Sequence, residues 1–123
     1  MKNIIKKFSS SKNITCFFGK ESTFEGIIKF HGNARIDGRF KGKIWGGGTL
    51  LIGETAKIES DIHALAVINY GEIHGSIYAE KEIELHVPGK VYGNIEAPSV
   101  GIEKGVIFEG TSWQRKPKLA DDE

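Results

Sequence analysis

Apolar and polar residues alternate along most of this chain, and the alternation recurs in copies. KIESDIHA (57–64), EIHGSIYA (72–79) and KVYGNIEA (90–97) each set apolar or small residues at every second position. RIDGRFKG (35–42) is a more distant copy and IFEG (107–110) a fragment. Alternation with period two places one set of side chains on one side of a strand. Recurrence at a spacing near 17 residues points to a repeat architecture.

With Ala34, Ala56, Gly71, Gly89 and Val106 as anchors, the intervals are 22, 15, 18 and 17 residues. Two after each anchor stand Ile36, Ile58, Ile73, Val91 and Phe108; four after stand Gly38, Ser60, Gly75, Gly93 and Gly110. Six before stand Ile28, Leu50, Leu65, Ile83 and Val100. Every offset is even, and the intervening positions are mostly charged. The large residues supply core columns, and the small ones mark bends where the backbone must turn or approach closely. One copy cannot bury much surface, so stacked copies must share a core. The expectation is an all-β, single-domain parallel β-helix of roughly triangular section. It has about five to six coils including partial ends, the first visible in Phe18, Phe24 and Gly26. The 22-residue first interval predicts a protruding, flexible loop at Ile44–Thr49, with Trp45 either folded back or exposed for binding. Expected boundaries are a basic and apolar flexible arm over 1–16, the β-helix over 17–113 and a disordered tail over 114–123. An antiparallel sandwich or barrel fits the ordered columns less well. A left-handed hexapeptide helix would repeat every six residues, and the periodicity does not fix handedness.

Charge distinguishes the arm from the body. Residues 1–20 hold Lys2, Lys6, Lys7, Lys12 and Lys20 and no acid, whereas residues 21–114 hold nine bases and thirteen acids. The body is therefore a poor electrostatic partner for nucleic acid. In a helix, Ile4, Ile5 and Phe8 share one face, and Lys2, Lys6 and Lys7 could meet anionic lipid. These six residues are the candidate membrane contact. No run approaches a spanning segment and no signal-peptide pattern is seen, so the expected location is cytoplasmic, peripheral to the inner face of the membrane. Cys16, the single cysteine, is expected as a small buried hydrophobe.

Little in the chain points to catalysis. His31, His63, His74 and His86 fall at odd, outward offsets and are expected as surface histidines without a metal. Glu82 and Glu84 flank Ile83 on the outer side, where they would aid solubility or oppose lateral pairing. The glycines at 46–48 lack the lysine of a phosphate loop. No catalytic residue, metal, cofactor or nucleotide is expected. What remains distinctive is the pair of ends, each exposing strand backbone and a slice of core. Phe17, Phe18 and Phe24 lie near one end, and Val106, Phe108 and Trp113 near the other.

ESTFEGIIKFHGNARIDGRFKGKI (21–44), LLIGETAKIESDIHALAV (50–67), GEIHGSIYAEKEIELHVPGKVYGNIEAP (71–98) and VGIEKGVIFEG (100–110) together resemble the bactofilin family. The resemblance covers about residues 18–112. It implies a right-handed β-helical core and nucleotide-independent, nonpolar filaments. It also implies scaffolding of cell shape or of envelope-associated proteins, and subunit contact through apolar residues at the core ends. Phe108, Ile107, Val106, Phe24 and Phe18 are the residues to which that contact is carried. The chain departs from the family in the Ile44–Thr49 segment, in Ser60 at a glycine bend and in its short tails. Two other readings stay open. One is a monomeric β-helical module that binds protein or glycan through Trp45, Tyr78 and Tyr92. The other is a left-handed β-helical enzyme resembling acyltransferases.

Overall fold

Every strand pairing among the described residues is parallel, so successive segments wind in one direction and stack. The computed structural model describes residues 14–115. It contains β1 (Ile14–Phe18), β2 (Thr23–Phe30), β3 (Asn33–Ile36), β4 (Arg39–Gly46), β5 (Thr49–Ile52) and β6 (Lys57–Asn69). β7 (Glu72–His74), β8 (Ile77–Leu85), β9 (Lys90–Ala97), β10 (Ser99–Ile102) and β11 (Ile107–Gln114) follow. They form a parallel β-solenoid of about six turns, without a helix among the described residues. An antiparallel sandwich is thereby excluded. The first described strand, Ile14–Phe18, includes residues before 17, and Cys16 is partly buried against the core.

Each coil contributes to three faces. The first face stacks β1, β3, β5, the end of β6, the end of β8 and β10. The second stacks the starts of β2, β4 and β6, then β7 and the starts of β9 and β11. The third continues from the second after one corner residue. The column Phe24, Phe40, Ile58, Ile73, Val91 and Phe108 lines the core side of the second face. Ile28, Ile44, Ile62, Ile77 and Ile95 line that of the third. β6 shows the alternation directly, since Ile58, Ile62 and Ala64 are buried while Lys57, Glu59 and Asp61 are exposed. Each fully buried isoleucine contributes about 1.5–3 kcal/mol of transfer free energy. Five inter-coil steps of about 4.8 Å give a stack about 24 Å long.

The corner between the second and third faces is built on glycine. Gly26, Gly42, Gly75, Gly93 and Gly110 all have φ between 140° and 149°, a region that side chains avoid. A Cβ on Gly93 would lie 1.9 Å from the carbonyl oxygen of Gly75 in the coil beneath. Ser60 occupies this column without a positive φ. It is buried, and its hydroxyl donates to the Asp61 carbonyl at 3.0 Å.

Two expectations about register are corrected. First, Ile44–Thr49 is not a protruding loop. β4 runs through Ile44 and Trp45 to Gly46, paired with β2 below and β6 above. Gly46 leaves room for the Phe30 ring, only 2.1 Å from where a Cβ would stand, and Gly48 for the Gly32 carbonyl at 1.6 Å. Close packing, not flexibility, requires these glycines. The residue aligned with Ile58 is Phe40, not Ile36. Ile36 and Phe40 lie on different faces, either side of a short corner at Asp37–Gly38. That corner spans an even number of residues, so alternation passes through it without a phase break. The alignment therefore slipped by four residues, and the anchor should be Gly38, which makes the first interval 18. Second, Leu65 is not a core column residue. It sits half-buried at an irregularity between Ala64 and Ala66. Val67 pairs with Leu50 and Ile83, and Asn69 takes the inward place between Ile52 and Leu85. Asn69 is fully buried, and it donates to and accepts from the Gly71 backbone at 2.9 Å in both directions. These two bonds satisfy its amide where solvent cannot.

Candidate assembly surfaces

Both ends of the solenoid leave strand edges without a neighbour among the described residues. β1 pairs only with β3 and β2 only with β4; β10 pairs only with β8 and β11 only with β9. At the N-terminal end, Cys16, Phe18 and Phe24 are partly buried against the core. The Phe18 and Phe24 rings are 5.2 Å apart, and Phe24 stacks on Phe40 at 5.3 Å. Phe24 thus continues an aromatic column that stops at the edge. Burial raises the Cys16 thiol above its ordinary pKa, which disfavours the reactive thiolate.

At the C-terminal end, Val100, Val106 and Phe108 are partly buried against the core, and Ile102 is exposed. The third face closes differently here. Ser112 and Gln114 stand above Ile95 and Ala97, and both are exposed. Ile107 and Trp113 alternate with the inward residues and point away from the solenoid axis, with Ile107 on the second face and Trp113 on the third. Of the residues proposed for subunit contact, Phe18 and Phe24 belong to one terminal slice and Val106 and Phe108 to the other. Ile107 lies on the flank beside Phe108. Ile4, Ile5, Phe8, Lys2, Lys6 and Lys7 lie outside the described residues.

The histidines are not solitary surface residues, since His63, His74 and His86 are engaged in stacks. His63 is sandwiched between Trp45 at 4.0 Å and Tyr78 at 4.6 Å. The Arg115 guanidinium lies 4.5 Å over Tyr78 and 3.0 Å from the Glu96 carboxylate. Trp45 remains largely exposed while it stacks. With His63, Tyr78 and Trp113 it lines an open groove of about 670 Å³ on the third face. His74 stacks on Tyr92 at 4.7 Å and meets Glu72 at 2.8 Å. That bond holds the half-buried Glu72 carboxyl below its ordinary pKa. His86 stacks on Tyr70 at 4.9 Å and bridges Glu84 at 2.9 Å and Glu103 at 3.3 Å. These stacks follow from parallel register, which brings outward residues of successive coils face to face. Sequence offsets could have shown them had the coils been correctly aligned.

Glu84 is a second outward residue whose environment differs from expectation. It is 1% exposed, not solvated, and only one of its oxygens is hydrogen-bonded. Near it, burial raises the Tyr70 phenol above its ordinary pKa, with the Glu84 and Glu103 charges adding to the effect. Glu103 is fully exposed. Its carboxyl is lowered chiefly by the Val87 backbone N–H, which donates at 3.0 Å, and then by His86. Among the described residues no group of three or more His, Cys, Asp or Glu is arranged to hold a metal ion.

A family model described as Bactofilin, polymer-forming cytoskeletal, matches residues 16–112. The bactofilin BacO of Myxococcus xanthus is 32% identical over 92 residues, which cover 75% of this chain and 73% of BacO. BacP of the same organism is 26% identical over 106 residues, and the chain spans 44% of BacP's length. The fold is also similar to that of the Thermus thermophilus bactofilin in double helical filaments. The TM-score is 0.74 at 29% identity, covering 78% of this chain and 95% of that one. The cytoskeletal bactofilin BacA gives a TM-score of 0.72 at 33% identity, covering 80% and 96%.

Proposed function

The chain belongs to the bactofilin family of polymer-forming cytoskeletal proteins, and from that premise we propose that it assembles end to end into nucleotide-independent filaments. The observation that carries this reading is the pair of terminal coils. Each combines an unpaired parallel edge with partly buried apolar side chains, Phe18 and Phe24 at one end and Val106 and Phe108 at the other. An open edge templates further strand pairing, and burial of the slice supplies the driving force. Like ends meet like ends in this reading, giving a nonpolar filament. The two slices are mismatched for each other, because Ser112 and Gln114 would oppose the apolar third-face strand of the first coil. The filament serves as a cytoplasmic scaffold for cell shape or envelope-associated proteins and has no catalytic role. The segment Lys2–Phe8 is its contact with the inner face of the membrane.

Phe108→Arg tests the assignment. A charge forced into an apolar contact without a partner costs several kcal/mol. The variant should therefore lose filaments in negative-stain images while keeping a β-rich circular dichroism spectrum. Filaments of unchanged length would refute the role of that end. Removal of residues 2–8 should weaken liposome binding and leave polymerisation intact; unchanged binding would reject the membrane contact.

A further inference from the structure

The first face carries a buried stripe on its outer side. Leu51, Ala66 and Ile68 alternate with the core residues Leu50, Ile52 and Val67, so they point away from the axis. They are nevertheless 8%, 2% and 0% exposed, and none belongs to the main core cluster. Leu51 and Ile68 are direct neighbours in successive coils, and Glu84 is next in the same column. Glu84 is buried there with one carboxylate oxygen unbonded, and Glu82 is half-buried beside it. The stripe is thus apolar at its centre and acidic on its C-terminal side, while on its N-terminal side Arg35 is paired with Asp37 at 3.1 Å.

We propose that this stripe is the docking surface of the chain's own N-terminal segment, Lys2–Phe8, which packs Ile4, Ile5 and Phe8 against Leu51, Ala66 and Ile68. Three features select this occupant. The thirteen residues before Ile14 lead into β1, which lies on this same face. Ile68 is three coils above β1, or about 14 Å along the stack, and the six residues from Phe8 to Ile14 reach about 20 Å when extended. The segment also pairs three large apolar residues with Lys2, Lys6 and Lys7 and no acid, which suits a patch bordered by Glu82 and Glu84. The C-terminal segment 116–123 offers one large apolar residue, Leu119, and its Lys116 and Lys118 are outnumbered by Asp121, Asp122 and Glu123. Those acids would repel the patch. Docking and lipid insertion use the same side chains of the segment, so each excludes the other.

Disulfide trapping in the full chain tests the proposal. With Cys16→Ala, paired Phe8→Cys and Ile68→Cys should close an intramolecular bond, seen as a faster band on a non-reducing gel at every protein concentration. A band of doubled mass that grows with concentration would assign the stripe to a second copy and overturn the proposal. Closure from Leu119→Cys in place of Phe8→Cys would assign it to the C-terminal segment, and no closure would also count against it. Ile68→Lys gives an independent measure. It should lower the melting temperature by at least about 4 °C in the full chain and have little effect once residues 2–8 are removed. An equal shift in both backgrounds would overturn the proposal.

Discussion

The two ends of the solenoid are cut from one repeat, yet they are not equivalent. The N-terminal slice is apolar on all three faces, from Cys16 and Phe18 through Phe24 to Ile28 and Phe30. The C-terminal slice is apolar on two, and Ser112 and Gln114 replace the isoleucine and alanine of the third. The corner glycines differ as well. A Cβ on Gly110 would strike the Gly93 carbonyl at 1.6 Å, whereas one on Gly26 would meet only the Phe24 ring, at 3.3 Å. At Gly42, Gly75 and Gly93 the missing Cβ makes room for the coil below, and Ser60 alone among the inner corners carries one. Among the described residues no coil lies below Gly26. Under the assembly proposed above, one residue type would serve folding in the inner coils and association at the N-terminal end.

The most decisive test of this asymmetry is to disable the ends in turn. Phe24→Arg should leave particles joined only through the C-terminal end, Phe108→Arg particles joined only through the N-terminal end, and the double variant monomers. Sedimentation velocity distinguishes these. Each substitution should weaken its own end contact by about two to four orders of magnitude, given a cost of roughly 3–5 kcal/mol for an unpaired buried charge. Monomers from either single variant would instead mean that opposite ends meet.

The glycine column gives a sharper separation. Gly93→Ala should destabilise by more than about 3 kcal/mol, combining backbone strain with overpacking, and Gly110→Ala should unpin the last coil. Gly26→Ala carries the strain alone, about 1–3 kcal/mol. It should weaken N-terminal association more than its loss of melting temperature accounts for. Equal effects at Gly26 and Gly93, measured by thermal unfolding, would remove the distinction.

The smallest expected effect concerns acid. Glu103 ties the outer C-terminal corner to Val87 and His86 in the coil beneath. Its carboxyl pKa is lower when folded than the ordinary 4.5. Its contribution is therefore present above about pH 4.5 and is lost as pH falls through the lowered value. Amide exchange at Val87 should accelerate over that window, and Glu103→Gln should abolish the pH dependence. An unchanged profile in the variant would dismiss the tie.

Much of this was legible in the chain. Alternation located the core columns from Ile58 to Phe108, and the glycine bends, with Ser60 in their register, located one corner of the coils. What failed was phase across faces. The corner between the first and second faces contains two residues at Asp37–Gly38 and at Tyr70–Gly71 but four at Gly53–Ala56, and all preserve parity. Period-two patterning cannot separate such corners from continuous strand. Buried Asn69 and Glu84 were illegible for another reason, since each is held by local bonding or cover that no hydrophobic pattern encodes. The end residues could be named because they lie in apolar columns that run out. Ile107 was carried over with them from the family resemblance, and its outward direction beside Phe108 became visible only with the strand register.

The even corner carries a lesson for how such a chain can change. Adding or deleting a dipeptide there would move the corner outward or inward and leave every downstream side chain on its original side. A single-residue change would exchange the interior and exterior of an entire strand, sending isoleucines into water and lysines into the core. Length variation at that edge is thus tolerated in steps of two, and a shared frame of even numbers would keep divergent copies stackable.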